Sequence, residues 1–142
     1  RTTPSNFLYN NRRCPECSSS SGERAVKSIL KNNKLEFEKE FSFNELTGKK
    51  KPYQFDFAVK KDNKLLFLIE YDGIQHFKPV TAFGGKAYFK ITKIRDRIKS
   101  AYCYNEKIPL LRISYFKKHL LEYLIKKELK KFDLLKIGWK EV

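Results

Sequence analysis

The segment LLFLIEYDG, residues 65–73, restricts the fold of this chain more than any other stretch. From Leu65 to Ile69 every side chain is apolar, so both faces of an extended strand there must be covered. Such a strand lies inside a sheet with layers on both sides. Glu70 and Asp72 then interrupt the run just before Gly73. Carboxylates at the end of an interior strand are costly to desolvate, and the turn beyond a strand end is a common seat for functional side chains.

A second strand precedes it. KKKPYQFDFAV (49–59) puts Tyr53, Phe55, Phe57 and Val59 on one face and Gln54, Asp56 and Ala58 on the other, and KKDNK (60–64) has turn chemistry. With a three-residue loop at 61–63, Gln54 opposes Glu70 and Asp56 opposes Leu68. Asp56 and Glu70 are then diagonal neighbours on one face, roughly 7–8 Å apart at the backbone. A two-residue turn moves the register by one and sends the two acids to opposite faces. On the first register the carboxylates converge, and a hard divalent cation with oxygen ligands relieves their repulsion. Mg²⁺ fits that description, with Mn²⁺ as its substitute. Singly, each acid reads equally well as a strand-end partner of a lysine; together they point to a metal site.

The other elements complete an α/β reading. A helix over about 22–33 opens with Ser20 and Glu23 in the S-x-x-E capping pattern and carries the apolar stripe Val26, Ile29 and Leu30. Glu23 shares the spacing of Val26 and Leu30, which leans it toward the core as well as toward the cap. LEFEKEFSF (35–43) alternates like a strand, with Lys39 interrupting its apolar face. Ile91, Ile94, Ile98, Ala101 and Tyr102 recur at helical spacing over 91–105. Asp96 and Lys99 then fall on the opposite face and read as a solvated i, i+3 ion pair. IPLLRIS (108–114) is a short buried strand. The helix 117–132 turns Leu120, Leu121, Leu124, Ile125, Leu129 and Phe132 inward. The order αβββαβ plus a C-terminal amphipathic helix predicts a central mixed sheet flanked by helices.

Charge indicates the partner. In 142 residues, 31 Lys and Arg stand against 16 Asp and Glu, a net charge of +15 with a pI near 9.7. A chain this basic is relieved by a polyanion, and nucleic acid releases condensed counterions when its phosphates are neutralised. Lys49, Lys50 and Lys51, just ahead of the acid-bearing hairpin, are placed to hold phosphates. The lysines at 126, 127, 130 and 131 read as a solvated face. A membrane is the rival polyanion, but no apolar run approaches the ~18 residues of a spanning helix. No signal peptide opens the chain, and the lysine-rich helix has no exposed aromatic anchor.

His76 follows the acidic strand end in IEYDGIQHF, within six residues of Glu70, Asp72 and Gln75. An imidazole there takes or gives a proton near neutral pH. His119 has no such company and reads as part of a solvated helix face. Cys14 and Cys17 of CPEC form half of a tetrahedral Zn²⁺ site, which needs four ligands. Cys103, on a helix, does not complete it. Three cysteines make no disulfide framework, which suits a reducing compartment inside a cell. Residues 1–21 therefore read as the remnant of a zinc-binding module with a linker, its other ligands upstream of Arg1. The absence of methionine fits a piece of a longer chain.

These residues carry a resemblance. GER (22–24), FDF (55–57), IEYDGIQHF (69–77), IRDRIK (94–99) and IPLLRI (108–113) occur in the order seen in Vsr-like endonucleases. Over about residues 20–115 the chain resembles that group, which includes phage- and virus-associated homing enzymes with an EDxHD signature. The group is a branch of the PD-(D/E)XK nucleases. The resemblance implies a catalytic domain at 22–142 that hydrolyses double-stranded DNA with Mg²⁺ inside a host cell, in cytoplasm or nucleus. Glu23, Asp56, His76 and Asp96 would be the E, D, H and D, with Glu70 or Gln75 at the variable position. Asp56 and Glu70 would hold the metal, and Lys99 would join the DNA contacts. One departure is plain: Glu70-Tyr71-Asp72 stands where the wider class has (D/E)XK, so the lysine's role is vacant or falls to His76 or Lys99. A non-catalytic DNA-binding module and an RNA-processing nuclease are the rival readings. The oligomeric state has no signature in these motifs.

Overall fold

The computed structural model describes residues 20–48 and 51–135. In chain order these form α1 (Ser21–Asn32), β1 (Glu36–Thr47), β2 (Pro52–Lys61), β3 (Lys64–Asp72), α2 (Gly85–Asn105), β4 (Leu110–Ser114) and α3 (Leu121–Leu135). Short 3-10 turns cover Ile74–His76, Thr81–Phe83 and Tyr115–Leu120. Cys14, Cys17, Lys49 and Lys50 lie outside the described residues.

The four strands form one sheet in the order β1-β2-β3-β4. The first three are antiparallel neighbours, and β4 runs parallel to β3. A parallel pair needs a crossover, and α2 supplies it. The architecture is the expected α/β one: a mixed four-stranded sheet flanked by helices, with a C-terminal helix. β3 is interior, and Phe67 to Asp72 are all buried.

Two layers cover the sheet. On one face Phe57, Val59, Phe67, Ile69 and Ile113 pack against Val26 and Leu30 of α1 and Leu121 and Ile125 of α3. Each such side chain contributes roughly 1.5–3 kcal/mol when fully buried. On the other face Phe55, Ala58 and Leu68 meet Cys103 of α2, with Tyr102 and Ile108 partly buried beside them.

The hairpin departs from both expected registers. Its turn has two residues, Asp62 and Asn63, at φ of 53° and 65°. Paired left-handed residues make the hairpin turn whose twist matches the strands. That short turn alone would separate the acids. However, Lys60 pairs with Leu65 while Val59 pairs with Phe67, so Leu66 is an extra residue in β3. This bulge adds a second one-residue shift and restores the parity. Continuing from Phe57 opposite Ile69, Asp56 falls directly opposite Glu70 rather than diagonal to it.

Phe55 and Phe57 do not share a face as alternation predicts, since they enter opposite core clusters. The change occurs at Asp56, whose register position on β1 is Glu40, a residue with φ of 52°. α2 begins earlier than its apolar spacing suggests and is turned the other way. Ile91, Ile94 and Ile98 are exposed, while Thr92 and Cys103 are buried. The sheet beneath α2 carries Glu70, Asp72 and Arg112, so the helix turns its polar face inward. Leu120 is likewise more exposed than expected, because the chain is still in a 3-10 turn there and α3 starts one residue later.

Candidate active site

Glu23, Asp56, Glu70, Gln75, His76 and Asp96 all line one cavity of about 190 Å³. Four elements and a turn deliver them. Ser20 Oγ accepts the Glu23 N–H at 3.1 Å, and the Ser20 backbone in turn bonds the Glu23 carboxylate, so the capping box forms. Gly22 is obligatory beside it: a Cβ there would run into the ring of Tyr71. The missing side chain lets α1 sit close on β3, which brings Glu23 to the strand-end acids. At Gly73 a Cβ would meet only the end of the Gln75 side chain, 2.7 Å from Oε1, which could swing aside.

Asp56 and Glu70 brace each other through the backbone. The Asp56 N–H donates to Glu70 Oε2 at 2.9 Å, and the Tyr71 N–H donates to Asp56 Oδ2 at 2.8 Å. Burial, then the Glu70 and Glu23 charges, push the Asp56 carboxyl up to about 8. Burial also raises Glu23, against the opposing pull of Lys39. Lys99 Nζ donates to Glu70 Oε1 at 2.8 Å and stands 4.9 Å over the ring of Phe55. With a side chain only 12% exposed, Lys99 belongs to the interior of the site rather than to a solvated ion pair. Its expected partner Asp96 also faces inward, toward His76 and Arg112.

Those residues form a second group. His76 Nδ1 lies 3.0 and 3.2 Å from the two Asp96 oxygens and 3.6 Å from Asp72 Oδ1. Arg112 clasps Asp72 through Nε and Nη2 at 3.1 and 3.2 Å and reaches Asp96 Oδ1 at 2.9 Å. Burial works against the Asp96 charge, but its hydrogen bond to His76 and the charges of His76, Arg112 and Lys93 hold its carboxyl below the ordinary value. Burial also opposes the charge on Arg112, and Asp72, Glu70 and Asp96 outweigh it. An ionised Asp96 accepts from Nδ1–H, which leaves Nε2 of His76 as the nitrogen available to a reactant.

Two carboxylate sets thus compete as a cation site. Asp72, His76 and Asp96 have ligand atoms all within 4.8 Å of one another. Arg112 already neutralises two of them, so a divalent cation there would be crowded by a guanidinium. Lys99 likewise pairs with Glu70, but burial first and then the charges of Glu70 and Glu23 hold the Asp56 carboxyl up, against a smaller pull from Lys99. The donor set at Asp56 and Glu70 therefore fits a hard cation better.

No family model, curated protein or solved structure matches the chain. Its site stands on its own geometry. Sequence reasoning missed Arg112, Thr92, Arg95 and Tyr88, the last three of which line the cavity. Arg112 had a signal: it is the lone charge in the apolar strand IPLLRIS, the same anomaly that exposed Asp56 and Glu70. Thr92 had none, because the isoleucine stripe assigned its face to solvent. Its Oγ1 is buried without a partner among the described residues. Lys51 is exposed at the rim of an adjoining groove.

Proposed function

We propose that this protein is a Mg²⁺-dependent DNA endonuclease with a PD-(D/E)XK-type core of the Vsr-like branch. The observation that carries the reading is the pairing of Asp56 with Glu70 at one cavity, with Asp56 pushed up to about 8, in a chain of net charge +15. Buried acids that repel one another in a basic protein suit a polyanionic substrate held through a cation.

Asp56 and Glu70 would hold Mg²⁺ (or Mn²⁺), with Glu23 orienting groups at its side. When bound, the cation supplies the positive charge that lets a phosphodiester approach these carboxylates. Lys99 contributes a fixed ammonium on Glu70, from α2 rather than from the strand position where the wider class carries its lysine. His76 Nε2 takes a proton from the attacking water or returns one to the leaving oxygen. Asp96 holds the imidazole through Nδ1, and Arg112 fixes Asp96 and Asp72. Gln75 and Thr92 add hydrogen-bonding groups at the wall.

The test is incubation with supercoiled plasmid in Mg²⁺ or EDTA, beside Asp56→Ala and His76→Ala. The reading expects Mg²⁺-dependent nicking in the parent protein and its loss in both variants. Binding without cutting in Mg²⁺ or Mn²⁺ would instead leave a non-catalytic DNA-binding module, and cutting of RNA alone would reassign the substrate.

A further inference from the structure

Exposure of an apolar stripe on a helix otherwise packed against a sheet calls for an occupant. On α2, Ile91, Ile94 and Ile98 are 45%, 52% and 36% exposed. At about 100° per residue the three fall within a sector of roughly 60°. Lys86, Lys90 and Arg97 flank that sector on one side, and Arg95 and Lys99 flank it on the other. The second flank faces the carboxylates. Opposite the stripe stand Lys51, Pro52 and Tyr53 at the start of β2, and the groove between them encloses about 980 Å³. It runs into the active-site cavity, with which it shares Asp56, Arg95 and Lys99 among others.

We infer that this groove receives a single-stranded DNA segment adjoining the scissile phosphate. Its bases rest on Ile91, Ile94 and the rings of Tyr53 and Tyr88, and its phosphates lie against Lys51 and Arg95, which line the groove. This inference rests on the nuclease reading and narrows its substrate. A paired duplex hides its bases in the stack and offers phosphates and groove edges, which give a concave apolar groove little to bury. An unpaired strand offers base faces and a charged backbone together, the combination that aromatic and basic grooves take up. A second copy of this chain is the other apolar occupant. It would bring cations against cations, in a protein already at +15, whereas a polyanion neutralises them.

The test is fluorescence anisotropy in EDTA, where nothing is cut, using two labelled DNA probes of one sequence. One probe is fully paired and the other carries a short central bubble. The protein is expected to bind the bubble at least about tenfold tighter, given the stacking gain available per base. The double variant Ile91→Ser, Ile94→Ser is expected to lose that preference while holding the duplex within about twofold. Equal binding of both probes by the parent protein would overturn the inference, as would a preference unchanged in the variant. A large fall in the variant's melting temperature, or a dimer of the parent protein that the variant dissolves, would also overturn it by showing the stripe covered by protein. The two readings fail separately. Bubble preference without Mg²⁺-dependent plasmid nicking would leave a strand-binding groove and remove the nuclease. Nicking without bubble preference would do the reverse.

Discussion

The two faces of the sheet are built to opposite rules. Beneath α1 and α3 the sheet offers Phe57, Val59, Phe67 and Ile69, and the helices answer with Val26, Leu30, Leu121 and Ile125, all buried. Beneath α2 it offers Glu70, Asp72 and Arg112 beyond the small apolar cluster around Phe55 and Leu68. There the helix answers with Thr92, Asp96 and Lys99 and leaves its isoleucines outside. One face is a solvent-excluding core whose contacts stabilise the fold. The other holds charges together at a cost, which is the pattern of a working site.

Substitutions should separate the faces. Phe67→Ala on the dry face is expected to cost about 3–5 kcal/mol in denaturant unfolding. A cost below about 1 kcal/mol would mean that this layer is not the stabilising one. On the polar face Arg112→Met strands the buried Asp72 and the half-buried Asp96 and is expected to cost about 3 kcal/mol. It should also misplace His76, so nicking is expected to fall even at temperatures where the variant is fully folded. Full activity in a folded Arg112→Met protein would break the assigned link from Arg112 through Asp96 to His76.

The next contrast concerns pH. The folded protein keeps the Asp56 proton up to about pH 8, whereas an unfolded carboxyl releases it near 4. Between those values the folded state binds more protons, so the metal-free fold loses stability as pH rises from about 4 to 8. Asp56→Asn should flatten that slope and melt higher than the parent protein at alkaline pH in EDTA, while abolishing nicking. A substitution on the dry face should leave the slope untouched. Melting curves across this pH range decide the matter: an unchanged slope in Asp56→Asn would assign it elsewhere. The smallest effect is expected for Ile98→Ser on the outer stripe, within about 0.5 kcal/mol of the parent protein.

How far the sequence showed this contrast follows from the same two rules. The dry face was legible because the two outer helices obey simple periodicity and β3 is apolar throughout until Glu70. Leu121, Leu124, Ile125, Leu129 and Phe132 turn inward as their spacing requires. Asp56 and Glu70 were legible as interruptions of apolar runs, whereas Glu23 read first as a cap and Asp96 as a solvated ion pair and joined the candidates by resemblance; all six candidates reach one cavity. What was hidden depended on compensation between distant features. Neither a two-residue turn nor a bulge at Leu66 alone pairs Asp56 with Glu70, yet together they do. The orientation of α2 was misread because periodicity identifies an apolar stripe without saying what covers it. There the charged sheet beneath decided which face turned in, and Lys99 entered the site with it. Arg112 was visible as a lone charge in a buried strand, but its acidic partners lie on other elements.

Calorimetric titration of the metal-free protein with Mn²⁺ decides whether the α2 face holds a cation at Asp56 and Glu70. Asp56→Asn and Asp72→Asn would be titrated beside it. Binding is expected in the parent protein, loss in Asp56→Asn, and near-parent affinity in Asp72→Asn, whose carboxylate is already neutralised by Arg112. Loss in Asp72→Asn with binding retained in Asp56→Asn would move the cation to the Asp72, His76 and Asp96 cluster and rule out a site at Asp56 and Glu70.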